Sequence, residues 1–388
     1  MEKRGSARRL AGVSCDKKAT HATAPNAGSE PRPEGSDWVE WGGECVWAAG
    51  FPEGGAPFGL SVEAFRAMNA TDQRGAGWVR AKAVLERALE RWAGAAARVH
   101  VGWITKVGDG LSREVFAAEV EVSRAGSTQS GAYAALLPTR AADADLDRRA
   151  TAELGLLAQL AEIDLPFLVP VGICVVPDTG RLALVREFIR GVPLDPRAGR
   201  QGGIRPWQVI GEIAAAIHSI DATRVSGVLG GVPANRREHA EAGLAALDVP
   251  GGSEIEEAAA WAREHLPPPE PSVLVHGDLL GQNILLRPDE PTGVIDWEYS
   301  TLGDPAYDLA VVTRGVRRPF QIDGGLERLL DVYAAAGGAN VRAAQVRVHE
   351  LCLAANWYRE ALAGRAEPPD EALARFRAIL RRALASPR

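Results

Sequence analysis

The chain has 388 residues, 46% of them hydrophobic, enough for two lobes with a sizeable core. Its 44 Lys plus Arg against 50 Asp plus Glu give a net charge of -6, which excludes a broad basic surface for nucleic acid and disfavours polyanionic partners. The 4 cysteines lie far apart with no CxxC or Cys/His cluster, no apolar run reaches the roughly 20 residues that span a bilayer, and the amino terminus lacks an apolar secretory segment; the expectation is a cytoplasmic protein without disulfides, zinc or membrane contact.

Residues 1–36 are rich in Ala, Gly, Pro, Ser and Thr with few large apolar side chains, and are expected to form a disordered tail. Residues 37–98 form a Trp-containing extension. Trp38, Trp41 and Trp47 lie among Gly and Pro in an ordered but irregular segment, where indoles act as packing anchors. An amphipathic helix follows over about 76–96, with Val79, Val84, Leu85, Leu89 and Trp92 at helical spacing.

The pattern then switches. HVGWITKV, EVFAAEVEV and GAYAALL are β-like runs separated by GDGLS and RAGSTQS, which predicts an antiparallel meander. A helix over 143–162 and two further strands, VGICVVP and RLALVREFI, joined by DTG complete a small lobe over 99–190. Beyond the link at Gly191–Pro193, residues 191–388 show helical periodicity, interrupted only by the short strands VLVH, NILL and GVID. The expected fold class is α+β and bilobal: a small five-stranded antiparallel lobe with one helix, then a larger, mainly helical lobe.

The chemistry concentrates in VLVHGDLLGQNILL and in GVIDWEY. A strand ending at Val275 and a turn let Asp278 and Asn283 project into one space. A carboxylate beside a hydroxyl can accept its proton, and an amide oxygen with a second carboxylate, Asp296, offers hard donors for Mg²⁺. That division of labour suits phosphoryl transfer, which needs positioning and charge neutralisation. The competing reading is that Asp278 and Asn283 only cap a turn.

The stretch VHGDLLGQNILL resembles the catalytic-loop pattern of the aminoglycoside phosphotransferase and choline kinase family, relatives of protein kinases. VIDWEYSTLGDPAYDLA is similar to that family's metal-binding segment. The resemblance implies a protein-kinase-like fold, with Asp278 as catalytic base, Asn283 and Asp296 as Mg²⁺ ligands, and His276, Asp304 and Asp308 in structural roles. Upstream, VGDGLSREVF resembles the phosphate-covering hairpin, implying that Gly108, Gly110 and Ser112 approach the nucleotide. RRATAELGLL resembles the helix whose Glu, here Glu153, pairs with a phosphate-binding cation, and VREFIRG resembles the hinge, with adenine on the backbone of Glu187, Phe188 and Ile189. In IAAAIHSID, His218 is assigned to packing.

One departure bears on mechanism. Relatives carry a basic residue two positions before a Pro at the end of the third strand, where GAYAALLPTR places Leu136. Three readings stay open: Lys106, the only lysine of the kinase-like part, reaches the phosphates; Arg113 or Arg140 substitutes; or nucleotide binding is weakened. The expected function is an ATP- (or GTP-) and Mg²⁺-dependent phosphotransferase acting on a small-molecule hydroxyl acceptor. The alternative is a pseudokinase-like nucleotide or metabolite binding module whose amino-terminal extension contacts a partner. For the acceptor, Glu298, Glu350, Glu360 and Asp370 are candidate ammonium holders, and Trp357 and Tyr358 candidate stacking partners.

Overall fold

The computed structural model describes residues 38–41, 44–50, 58–61 and 75–385, apart from 110–111, 125, 140–144, 197–200, 202, 232, 251, 288–289 and 366–367. The expected tail therefore lies outside the described residues. Where an irregular segment was expected, the backbone forms strands β1 (Trp38–Trp41), β2 (Glu44–Gly50) and β3 (Phe58–Ser61), antiparallel in the order β1-β2-β3.

Helix α1 (Ala76–Ala93) buries one stripe, Ala81, Val84, Leu85, Ala88 and Leu89, each 0% exposed. It lies on the five-stranded antiparallel sheet of β4 (Arg98–Asp109), β5 (Arg113–Arg124), β6 (Ser127–Pro138), β7 (Gly172–Asp178) and β8 (Arg181–Glu187), ordered β4-β5-β6-β8-β7. The stripe shares one core with Phe116, Val120, Val122, Ala135, Leu137 and Val185, and Trp78 meets Phe116 edge-on at 5.4 Å. The packing follows from the pattern, because an amphipathic stripe must bury against something and the sheet offers the matching face. Truncating Leu85 to Ala would cost about 2–5 kcal/mol.

The opposite face of the sheet looks into the interlobe cleft. Alternation puts Ala134, Leu136 and Leu184 there as a small buried cluster, with Val115, Leu154 and Phe188 against it. Helix α2 (Leu146–Leu160) closes the rear, and its Leu156, Leu157 and Leu160 join the core of the large lobe.

The large lobe opens with β9 (Val192–Pro193) and α3 (Pro206–His218), which begins on a proline where the missing N–H is not needed. Helices α4 (Ala222–Val225), α5 (Arg236–Gly243) and α6 (Ser253–Glu264) follow; Asn235 caps α5 by accepting from the Glu238 N–H. Strands β10 (Val273–Val275), β11 (Ile284–Leu286), β12 (Gly293–Val294) and β13 (Thr301–Gly303) make two small sheets, β12-β11-β9 and β10-β13. Helices α7 (Ala306–Thr313), α8 (Gly325–Ala335), α9 (Ala343–Leu362) and α10 (Pro369–Ala385) complete the chain. The fold class is the expected one, α+β with a five-stranded antiparallel lobe and a mainly helical lobe.

Candidate active site

Apolar β10 and β11 bracket the polar turn 276–283, and a single buried carboxylate organises it. Asp308, near the start of α7 and 0% exposed, accepts from the His276 N–H at 2.8 Å and the Gly277 N–H at 2.9 Å. Its third contact is His218 Nε2 at 3.1 Å, and His218 Nδ1 lies 2.9 Å from the Tyr333 hydroxyl. Burial would push this carboxyl up, but His218 and His276 hold it below its ordinary value, so it stays an anion. Gly277 has φ +85, and a Cβ there would meet the Tyr299 carbonyl at 2.1 Å, so the turn admits only glycine. His276 Nε2 reaches the Ile295 carbonyl at 3.0 Å, tying the turn to the segment that carries Asp296.

Within the turn, Asn283 Nδ2 donates to the Asp278 carbonyl at 2.8 Å and to Asp278 Oδ2 at 3.0 Å. Asn283 is therefore more than a turn cap: it orients the carboxylate, and its amide oxygen remains as a hard donor. The Ile295 N–H donates to the Asn283 carbonyl at 3.0 Å, which sets Asp296 beside Asn283. Asp296 adopts φ 69, a left-handed conformation of the kind stored at functional sites. It keeps an accessible edge, yet protein crowds it, and this desolvation, then the charges of Glu153 and Glu298, pushes its carboxyl up to about 7. Asp278 is likewise raised by burial, against the lowering effect of His276 and Asn283.

Above these carboxylates, Leu136 is 3% exposed and packed in the apolar cluster, so the third strand offers no cation. Arg113 at the start of β5 takes up Glu153 instead: Nη1 lies 2.8 Å from Glu153 Oε2, and Nη2 lies 3.4 Å from Glu298 Oε2. Burial opposes the Arg113 cation, but Glu153 and Glu298 outweigh it and raise its pKa. Lys106 does not join them, contrary to the first of the three sequence readings. Its Nζ bonds Glu114 at 2.7 Å and sits 5.8 Å over the Phe116 ring, on the sheet face that α1 covers. Gly108 and Ser112 flank the β4–β5 hairpin, whose Ser112 carbonyl accepts from the Thr139 N–H at 2.9 Å. Gly110 and Arg140 lie outside the described residues. At the lobe junction, the Glu187 N–H bonds the Val171 carbonyl at 2.8 Å and the Phe188 N–H bonds the Ala132 carbonyl at 2.9 Å, with Ile189 next in the chain.

Buried polar atoms without hydrogen-bond partners gather at this place: Arg113 Nε and Nη2, Glu153 Oε1, Arg186 Nε and Glu298 Oε2. Such orphans are costly unless a ligand satisfies them, and guanidinium donors suit phosphate oxygens. Arg186 escaped the sequence reading because a basic residue inside a hydrophobic strand has no local signal of direction. For a divalent ion, Asp296 and the Asn283 amide oxygen are hard donors of the kind Mg²⁺ takes together with phosphates and water. Among the described residues no three His, Cys, Asp or Glu gather as a group that could hold a metal ion.

The acidic acceptor grouping does not form. Glu350 is 0% exposed and holds the Gly315 N–H at 3.0 Å and Arg347 Nη1 at 2.6 Å. Glu298 faces Arg113, Glu360 pairs with Arg365 at 2.6 Å on the surface, and Asp370 sits exposed in the first turn of α10. Tyr358 is buried against Ala361 and Ala372, and the Arg375 guanidinium covers the Trp357 ring at 5.6 Å. Instead, a cavity of about 170 Å³ opens between α5, α7 and α9, lined by His239, Tyr307, His349, Cys352, Leu353 and Asn356 among others. Burial lowers His239 to about 4 and raises Cys352 to about 12, so both are uncharged near neutrality; His349 Nε2 lies 2.8 Å from buried Asp304.

A sequence model described as the phosphotransferase enzyme family matches residues 103–351. Viomycin phosphotransferase from Streptomyces vinaceus is 32% identical over 191 residues, 45% of this chain and 64% of that protein. Acyl-CoA dehydrogenase family member 10 from Mus musculus is 43% identical over 58 residues, 14% of this chain and 5% of that protein. The chain thus spans less than two thirds of the length of these curated relatives. Among solved structures, macrolide 2'-phosphotransferase MphH from Brachybacterium faecium matches with TM-score 0.51 at 24% identity, covering 75% of this chain and 96% of that one. A ternary complex of aminoglycoside phosphotransferase APH(4)-Ia with ADP and hygromycin B matches with TM-score 0.53 at 15% identity, covering 78% and 99%. At these identities the structural likeness establishes the protein-kinase-like fold.

Proposed function

The chain belongs to the phosphotransferase enzyme family, and from that premise we propose that it is a small-molecule kinase that moves the terminal phosphate of ATP or GTP to a hydroxyl of its acceptor. The observation that carries this is the Asn283 side chain holding the Asp278 carboxylate at 3.0 Å, next to Asp296. A group that only capped a turn would bind backbone amides; this one is clamped by a side chain and raised in pKa by burial.

In the reaction, the acceptor oxygen forms a bond to the terminal phosphorus as the bond to the bridging oxygen breaks. The acceptor proton passes to Asp278 Oδ, and the nucleoside diphosphate leaves with the electron pair. Asn283 and Asp296 would hold Mg²⁺, which supplies charge neutralisation on the phosphates when bound. The hairpin carrying Gly108, Gly110 and Ser112 covers those phosphates. The purine edge hydrogen-bonds backbone of the 187–189 junction, where the Glu187 carbonyl and Ile189 N–H are assigned the contacts because the Phe188 N–H is engaged by Ala132. Two structural neighbours carry ADP with hygromycin B and GDP with kanamycin, which supports a nucleotide donor without choosing the purine.

Incubation of the purified protein with MgATP or MgGTP and a library of hydroxylated acceptors, read by mass spectrometry, should give a product heavier by one phosphoryl group. Asp278→Ala should lose at least about 10²-fold in turnover, within the usual range for a general base. Equal turnover by the variant and the parent would sink the assignment. Nucleotide binding with no transfer to any acceptor would favour the non-catalytic reading, which Leu136 alone supports.

A further inference from the structure

In protein-kinase-like folds one lysine on the third strand has two tasks, pairing with the helix glutamate and neutralising the nucleotide phosphates. Here the first task belongs to Arg113, which meets Glu153 at 2.8 Å and Glu298 at 3.4 Å, the Glu298 carboxylate being shared with Arg149 Nε at 3.7 Å. The second task requires a cation that the protein has not already balanced, and Arg186 answers that description.

Arg186 is on β8, opposite Ala134, and Leu184 on the same strand is opposite Leu136. Residues two apart on a strand share a face, so Arg186 points to the cleft face where Ala134, Leu136 and Leu184 cluster. The small Ala134 side chain leaves width for a guanidinium in front of Leu136, where a third-strand lysine would end. Arg186 is only 5% exposed, its Nε lacks a hydrogen-bond partner, and among the described residues it forms no ion pair. The carboxylates acting on it, Glu153 and Asp296, are placed respectively in the Arg113 pair and beside Asn283. A guanidinium does not shed its proton, so a buried one without a counter-ion is destabilising until an anion arrives.

We propose that Arg186 is the phosphate-binding cation of this enzyme, so that the two tasks of one lysine are divided between two arginines on β5 and β8, the strands that flank β6. The proposal rests on the nucleotide reading above. It assigns Arg186 to the oxyanions of a nucleoside di- or triphosphate and Arg113 to positioning Glu153.

Calorimetric titration of the parent, Arg186→Met and Arg186→Lys with adenosine, ADP and ATP, without acceptor, tests it. The expected result is at least a tenfold rise in Kd of Arg186→Met for ADP and ATP, unchanged adenosine binding, and partial recovery in Arg186→Lys. Thermal unfolding without ligand gives an independent reading: Arg186→Met should have a Tm equal to or above the parent's, because it removes an unbalanced buried charge. Unchanged ADP and ATP affinity would overturn the assignment and leave the kinase reading intact. A lowered Tm with equal losses for adenosine and ATP would overturn it in favour of a structural role. A parent that binds neither ADP, ATP, GDP nor GTP would overturn the nucleotide reading as well.

Discussion

The Arg113 guanidinium meets the Glu153 carboxylate at 2.8 Å, with side chains 5% and 0% exposed, across 40 residues of sequence. Removing one member of a buried pair leaves the other charge uncompensated, which costs about 3–5 kcal/mol, whereas replacing both with apolar groups is far milder. Arg113→Met and Glu153→Leu should therefore each destabilise the protein strongly, and the double variant should recover part of the loss. Urea unfolding of the four proteins in a double-mutant cycle measures the coupling; strictly additive losses would show the pair to be incidental.

Asp308 is the second hub. Alanine at this position would leave the His276 and Gly277 N–H groups and the His218 ring without their partner in a buried site, at about 1–3 kcal/mol per buried group. Asp308→Ala should lower Tm and depress kcat more than it raises the KM for nucleotide, since the turn carrying Asp278 is displaced while the hinge at 187–189 is untouched. A loss confined to KM would contradict this account.

Gly277 supplies a sharper test of the same turn. Its Cβ, if present, would sit 2.1 Å from the Tyr299 backbone carbonyl, and its φ of +85 disfavours any side chain. Gly277→Ala should cost more than the roughly 1 kcal/mol of an ordinary left-handed substitution and should abolish turnover, checked by chemical denaturation and the phosphotransfer assay.

The elements that sequence disclosed were those with a local signature. Period-2 runs marked β4 to β8, period 3.6 marked the helices, and the turn 276–283 stood out because His, Asp and Asn interrupt two apolar strands. What escaped notice depends on register and on distant partners. One of the three readings takes Lys106 to the phosphates by its place in the chain, yet β4 carries irregularities between Val101 and Ile104 and again between Lys106 and Gly108. Each such shift changes which face the following side chains take, and no sequence signal located it. Arg113 faces Pro138 across the β5–β6 ladder, so its nearness to Leu136 emerges only once that register is known. The stripe of α1 announced that it would be buried, but not that the sheet 99–190 would cover it. Glu350 showed helical spacing like any solvated acid, although it is the internal anchor for Gly315 and Arg347.

Asp296 links the site to stability. Its folded pKa of about 7 lies above the ordinary 3.8, because burial and then Glu153 and Glu298 disfavour the charged form. An acid shifted upward contributes stability that is fully present below its unfolded pKa and is lost as pH rises through the folded value. The unliganded protein should therefore lose stability between pH 4 and 7 through this group. Asp296→Asn, which cannot ionise, should match the parent at pH 4 and exceed it at pH 8. Since solvent reaches one edge of Asp296, the gain is put at ~1–3 kcal/mol, well under the full shift converted at 1.36 kcal/mol per unit. Addition of MgADP should then reverse the order, stabilising the parent through its carboxylate and leaving Asp296→Asn nearly unchanged. Denaturant midpoints for both proteins at pH 4 and pH 8, with and without MgADP, give the eight values needed. A variant no more stable than the parent at pH 8 would mean that Arg186 already balances Asp296 in the unliganded protein, and that neither group waits for a ligand.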